Sequence, residues 1–116
     1  MVHSRHEKYA KSVCFYRADS GREPVREWLA RLPPRNRQLI GRDIMTLQLG
    51  WPIGMPTARK LADNLWEIRS RLSEGNARIL FTVREDKIVL LHGFIKKSQK
   101  TPQRDLRVAR QRLSKL

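Results

Sequence analysis

Residues 65–96, LWEIRSRLSEGNARILFTVREDKIVLLHGFIK, decide the fold. Their first part alternates with a period of two, Trp66 and Ile68 against Glu67 and Arg69, which is the pattern of a half-buried strand showing charge on its open face. Ser73-Glu74-Gly75-Asn76 supplies a turn. Residues 77–84 resume the alternation, with Ile79, Phe81 and Val83 on one side and Arg78, Leu80, Thr82 and Arg84 on the other. Glu85-Asp86-Lys87 is a short connection to a third strand over 88–96. The middle of that strand is apolar on both faces, as suits a central strand covered on one side and partly on the other. A three-stranded antiparallel meander is expected.

Upstream, WPIGMPT (51–57) reads as a loop within the same core. Before it, residues 35–49 have Ile40, Ile44 and Leu47 on one helical face and Arg35, Arg37 and Arg42 elsewhere, with Gly50 placed to end the helix. Pro33-Pro34 separates this helix from another opened by Pro24, in which Val25, Trp28, Leu29 and Leu32 share a face. Two helices so joined predict an antiparallel hairpin. Residues 9–17 have the β-branched and aromatic content of a first strand. Downstream, Thr101-Pro102 predicts an N-cap and first helical residue. The helix it opens carries Leu106, Ala109, Leu113 and Leu116 on its inner face and Arg104, Arg107, Arg110, Arg112 and Lys115 on its outer one. The order is strand, helical hairpin, meander, terminal helix, an α+β fold in one domain over 1–116. Helices covering one sheet face would leave the other open, and the charged side chains of that open face are the ones to weigh.

Charge dominates the composition. Twenty-five Lys and Arg against eleven Asp and Glu in 116 residues give a formal net charge of +14. Charge of this size suits a polyanion, nucleic acid before an acidic protein partner. The single cysteine, Cys14, cannot form an internal disulfide and offers no metal-ligand spacing, so a reduced, cytoplasmic protein without metal or cofactor is expected. The first residues, MVHSRHEKYAKS, lack a following apolar stretch, and no run is long enough to span a membrane. On the open face Glu67, Arg69 and Arg71 share one strand, Arg78 lies on the next, and the last strand ends in Lys96-Lys97 with Lys100 beyond. Each alone reads as a solvated charge. Clustered on strands about 4.8 Å apart they repel one another, and an anion seated among them relieves that repulsion.

LWEIRSRLSEGNARILFTV and IVLLHGFIKKSQKTP resemble the HigB-like, phage-related branch of the RelE/ParE toxin superfamily, and GREPVREWLARLP is similar to that group's first helix. The resemblance covers about residues 15–113, and its most specific part is the FxKKxxKTP run. It implies a compact α+β, RelE-like toxin that cleaves mRNA, usually on the ribosome. It also implies a cognate helix-turn-helix antitoxin that holds the toxin inactive, with a heterotetramer as one assembly. Carried over residue by residue, the family's functional positions fall on Arg69, Arg78, Lys96, Lys97 and Lys100. Two departures stand out: Ala77 replaces the aromatic usual before the strand arginine, and no counterpart of the C-terminal catalytic tyrosine of RelE follows Lys100.

Metal-free RNA cleavage needs the strand positioned, the 2′-OH activated, developing charge stabilised and the leaving oxygen protonated. Arg78 and Arg69 suit phosphate clamping, because their charge is permanent and their fork fits. A lysine packed among cations loses basicity, so Lys96 or Lys97 could serve as base or acid. His92 is the alternative, although its apolar strand favours a core histidine with one hydrogen-bonded nitrogen. Glu67 could take the 2′-OH proton, but pairing with Arg69 is favoured. Lys100, Arg71, Arg104, Arg107 and Arg110 are expected to contact RNA, with Arg112 beside them on the helix face. Trp28, Trp51 and Trp66 read as core, Trp51 being the one left open as a stacking platform. Two further functions stay open: a gyrase inhibitor like ParE, and a non-catalytic RNA- or ribosome-binding protein.

Overall fold

The computed structural model describes residues 11–52, 58–96 and 100–116. Chain order is β1 (Ser12–Phe15), α1 (Pro24–Ala30), α2 (Pro34–Gly50), β2 (Ala58–Ala62), β3 (Leu65–Leu72), β4 (Gly75–Arg84), β5 (Lys87–Lys96) and α3 (Gln103–Leu113). The class is α+β. The expected meander is present as β3, β4 and β5, antiparallel throughout, but it sits inside a five-stranded sheet of order β1-β5-β4-β3-β2, with β1 parallel to β5. Strand β2 corrects the sequence reading, which had no strand between the second helix and Leu65. It pairs antiparallel with β3, Arg59 opposite Glu67, and carries charge outward along a sheet edge.

Proline fixes the helix starts. Pro24 and Pro34 each open a helix at a position whose N–H would have no partner. Arg37 donates from Nη1 to the carbonyl oxygens of Ala30 (3.2 Å) and Leu32 (2.7 Å), closing the end of α1. Gly50 is the last residue of α2 rather than the one after it, and the Trp51 N–H bonds the Leu47 carbonyl.

Two apolar layers sandwich the sheet. Val25, Ile40 and Leu47 from α1 and α2 pack with Ala58, Ile68, Ala77, Ile79, Phe81, Ile88 and Leu90 on one face. Trp51 meets Trp66 (5.2 Å) and Phe81 (5.7 Å) edge-on in this layer, which makes it a core residue. On the other face Leu65, Leu80, Val89 and Leu91 pack under Ala109, with Leu106 and Leu113 alongside. The terminal helix thus lies opposite the other two, and the face expected to be open is partly roofed by α3. Leu116, expected on the inner side of that helix, follows it and is 45% exposed.

A bulge in β5 sets which residues face which layer. The β4–β5 register slips between Leu80, opposite His92, and Phe81, opposite Leu90. Val89 and Leu91 therefore pack in the α3 layer, and after the slip the even-numbered His92, Phe94 and Lys96 follow on that same side. Gly93 consequently faces the other way, under Trp28, where a Cβ would lie 2.5 Å from the indole Cε3. No side chain fits there.

Candidate active site

Three rows of residues cross the sheet on the α3 side. Arg59, Glu67, Leu80 and His92 form the first; Arg69, Arg78 and Phe94 the second; Arg71, Asn76 and Lys96 the third. The anchor is Glu67, only 2% exposed. Its Oε1 accepts from Arg78 Nη1 at 2.5 Å and from Arg59 Nε at 3.1 Å, and its Oε2 accepts from Thr101 Oγ1 at 2.6 Å. Arg59 and Thr101 are partners of Glu67 that the expected pairing with Arg69 did not include. Cross-strand and diagonal neighbours are within easy reach of long guanidinium side chains. Thr101 likewise departs from its expected place: Pro102 occupies the N-cap position of α3, and the Thr101 hydroxyl turns to the buried carboxylate instead of capping the helix.

Around this one carboxylate stand four cations. Arg78 (4% exposed) and Lys96 (4%) are buried, whereas Arg59 and Arg69 are exposed. Burial first, then the Arg78 charge, lowers the Lys96 pKa from its ordinary value; Arg59 and Arg69 add to the effect and Glu67 opposes it. Lys96 is thus predisposed to give up its proton, as a lysine used for proton transfer must be. Arg78 Nε is buried and has no hydrogen-bond partner among the described residues, so its guanidinium retains donor capacity beyond the Glu67 contact.

Other expected residues divide clearly. His92 Nε2 lies 2.6 Å from Asp105 Oδ1 and its ring stacks on Phe94 (centroids 5.5 Å apart), which ties β5 to the first turn of α3. It is two strands from Glu67 with Leu80 between, a core histidine with one nitrogen engaged. Arg71, Arg104, Arg107 and Arg110 are exposed. Arg112 is not part of an outer face: its Nη1 donates to the Leu91 carbonyl at 2.7 Å and its guanidinium lies 5.7 Å from the Tyr16 ring centre. Lys97 lies outside the described residues.

Sequence reasoning missed Arg59 and Thr101 as members of the cluster. Arg59 was hidden with its strand, its only signal being a basic pair in ARKLA. Both line an open groove of about 400 Å³ between β2 and α3, with Leu61, Lys100, Leu106 and Arg110 as the other walls.

A family model described as phage-derived protein Gp49-like (DUF891) matches residues 27–114, about three quarters of the chain. No curated protein matches. The match runs from α1 through α3 and takes in all five strands but the first, including every residue of the cluster around Glu67. The chain belongs to the phage-derived Gp49-like family, a family of RelE-like, toxin-like proteins.

Proposed function

We propose that this protein is the HigB-like toxin of a type II toxin–antitoxin pair and a metal-independent endoribonuclease acting on ribosome-bound mRNA in the cytoplasm. The observation that carries the reading is the packing of Arg59, Arg69, Arg78 and Lys96 about a single buried carboxylate. A phosphodiester suits this array, since the guanidinium groups of Arg59 and Arg69 are exposed and Arg78 Nε has no hydrogen-bond partner among the described residues.

In the proposed reaction neutral Lys96 takes the 2′-OH proton. The 2′-oxygen bonds to the adjacent phosphorus, the P–O5′ bond breaks, and the departing 5′-oxygen takes up a proton from water, giving a 2′,3′-cyclic phosphate and a 5′-hydroxyl end. Arg69, being exposed, grips the phosphate oxygens. Arg78 supplies a fixed positive field from beneath, which stabilises the extra negative charge and adds to the effect of burial in lowering the Lys96 pKa. Glu67 fixes Arg78 and Arg59 and is not the base, because both its oxygens accept hydrogen bonds already. His92 is a positioning residue for α3. Lys97 and Lys100 flank the cluster in sequence and are expected to hold the strand. A helix-turn-helix antitoxin is the expected inhibitor, with a heterotetramer as the expected complex.

The occupied state of Glu67 also favours a second reading, in which the same cations hold RNA without cutting it. Mapping transcript 5′ ends on translating ribosomes, after adding wild-type protein or its Arg78→Gln and Lys96→Met variants, separates the two. New 5′-hydroxyl ends with wild type, lost in both variants, are expected. Intact mRNA with wild type overturns the nuclease, and DNA breakage dependent on gyrase would point to the ParE-like function.

A further inference from the structure

The groove between β2 and α3 is built differently from the rest of the basic surface. Its cations come from three separate segments, Arg59 on β2, Lys100 before α3 and Arg110 two turns into α3, and between them lie the aliphatic side chains of Leu61 and Leu106. A surface meant only to be solvated has no need of an apolar floor under converging cations. A nucleotide, by contrast, presents an anionic phosphate and an apolar base face in one unit.

The groove is joined to the cluster through single hydrogen bonds. Arg59 lines it and donates to Glu67 Oε1; Thr101 lines it and donates to Glu67 Oε2. Whatever occupies the groove therefore sits one residue away from the carboxylate that fixes Arg78. At about 400 Å³ the space suits one nucleotide, being within the ordinary range of small-ligand pockets.

We infer that this groove is a single-nucleotide subsite for the RNA strand, in which Arg59, Lys100 and Arg110 take the phosphate next to the scissile one and the base lies against Leu61 and Leu106. The inference rests on the nuclease reading for its neighbour at Glu67, but the subsite itself needs only a single-stranded RNA. Because hydrophobic contact replaces base-edge hydrogen bonds on this floor, the subsite holds any base and places the strand without choosing its sequence.

The test uses the full chain and a six-nucleotide RNA methylated at every 2′-oxygen, which cannot be cut. Binding is followed by anisotropy, and the methyl resonances of Leu61 and Leu106 by NMR. Arg110 is exposed and outside the Glu67 contacts, so Arg110→Gln leaves the fold and cluster in place. The expected results are shifted Leu61 and Leu106 methyls, binding weakened about 5- to 10-fold in Arg110→Gln, and a slope of log affinity against log salt reduced by about 1. Unmoved methyls, or inorganic phosphate displacing the RNA with the same affinity that it shows for Arg110→Gln, would overturn the subsite. The outcomes are separable from those of the parent reading: loss of cleavage in Arg78→Gln with unchanged RNA binding in Arg110→Gln leaves the nuclease and removes the subsite. Methyl shifts on RNA binding, in a protein that leaves ribosomal mRNA intact, leave the subsite and remove the nuclease.

Discussion

Glu67→Gln isolates the charge on which the cluster depends. Gln keeps the shape and one acceptor oxygen, so packing is held constant while the carboxylate charge that Arg59 and Arg78 share disappears. Arg78 and Lys96 are each 4% exposed and cannot recover their hydration by turning outward. Removing one partner of a buried ion pair costs about 3–5 kcal/mol, because the other charge is left uncompensated. Total stability for a chain of this size is about 5–15 kcal/mol, so the variant is expected to remain folded but with its thermal midpoint lowered by roughly 10–20 °C. Urea unfolding at pH 7, followed by the fluorescence of the Trp51–Trp66 pair, measures the loss directly. Sulfate added at constant ionic strength should raise the variant's midpoint more than the wild type's, since an anion can take the vacated role. A loss under about 1 kcal/mol, with no sulfate effect, would refute the argument that this carboxylate balances the buried cations.

Three further outcomes follow from the same geometry. Burial first, then the Arg78 charge, lowers the folded pKa of Lys96 below the ordinary 10.5 that the unfolded chain keeps, so the folded state binds fewer protons in the window just below 10.5. Wild-type stability relative to Lys96→Met should therefore rise with pH across that window, and urea midpoints of the two proteins from pH 7 to 10 should converge from a Met-favouring gap; a constant difference would show that Lys96 keeps its ordinary basicity. Arg112→Met removes the donor to the Leu91 carbonyl and the Tyr16 contact, for an expected loss of about 1–3 kcal/mol by urea unfolding, with no change in RNA affinity. Gly93→Ala forces a methyl against the Trp28 ring and should cost about 1–3 kcal/mol, visible in the same assay; a neutral result would mean that α1 can shift away from β5.

The meander was legible because period-two alternation in Trp66–Arg69 and in Ile79–Arg84 is a direct image of side chains pointing to opposite faces. The two helices of the first layer announced themselves through Pro24, Pro34 and the spacing of Val25, Ile40 and Leu47. Strand β2 did not, since five residues, two of them charged, following a Pro- and Gly-containing stretch carry too little alternation to be heard. The β5 bulge was silent for a different reason. A run such as IVLLH is apolar whichever face each residue takes, so a one-residue phase shift leaves no mark in composition. Yet that shift places Lys96 beside Arg78. The set Glu67, Arg69, Arg78 and Lys96 could be named from sequence. Its wiring could not, because Arg59 and Thr101 reach Glu67 from 8 residues upstream and 34 downstream.

Such wiring has no justification in stability alone. A buried ion pair replaced by apolar residues of similar volume often leaves a protein as stable or more so, and here buried Arg78 shares its carboxylate with exposed Arg59, with Lys96 buried nearby. The expected convergence of wild type and Lys96→Met with rising pH expresses the same point, because burial disfavours the charged form of the lysine. Residues that lower stability while holding charge in a fixed array are characteristic of sites where a ligand restores the balance. An anion bound here should consequently raise the stability of the wild type more than that of Lys96→Met. If polyphosphate or a short uncleavable RNA stabilised the two equally, the buried lysine would owe its place to something other than an anionic ligand.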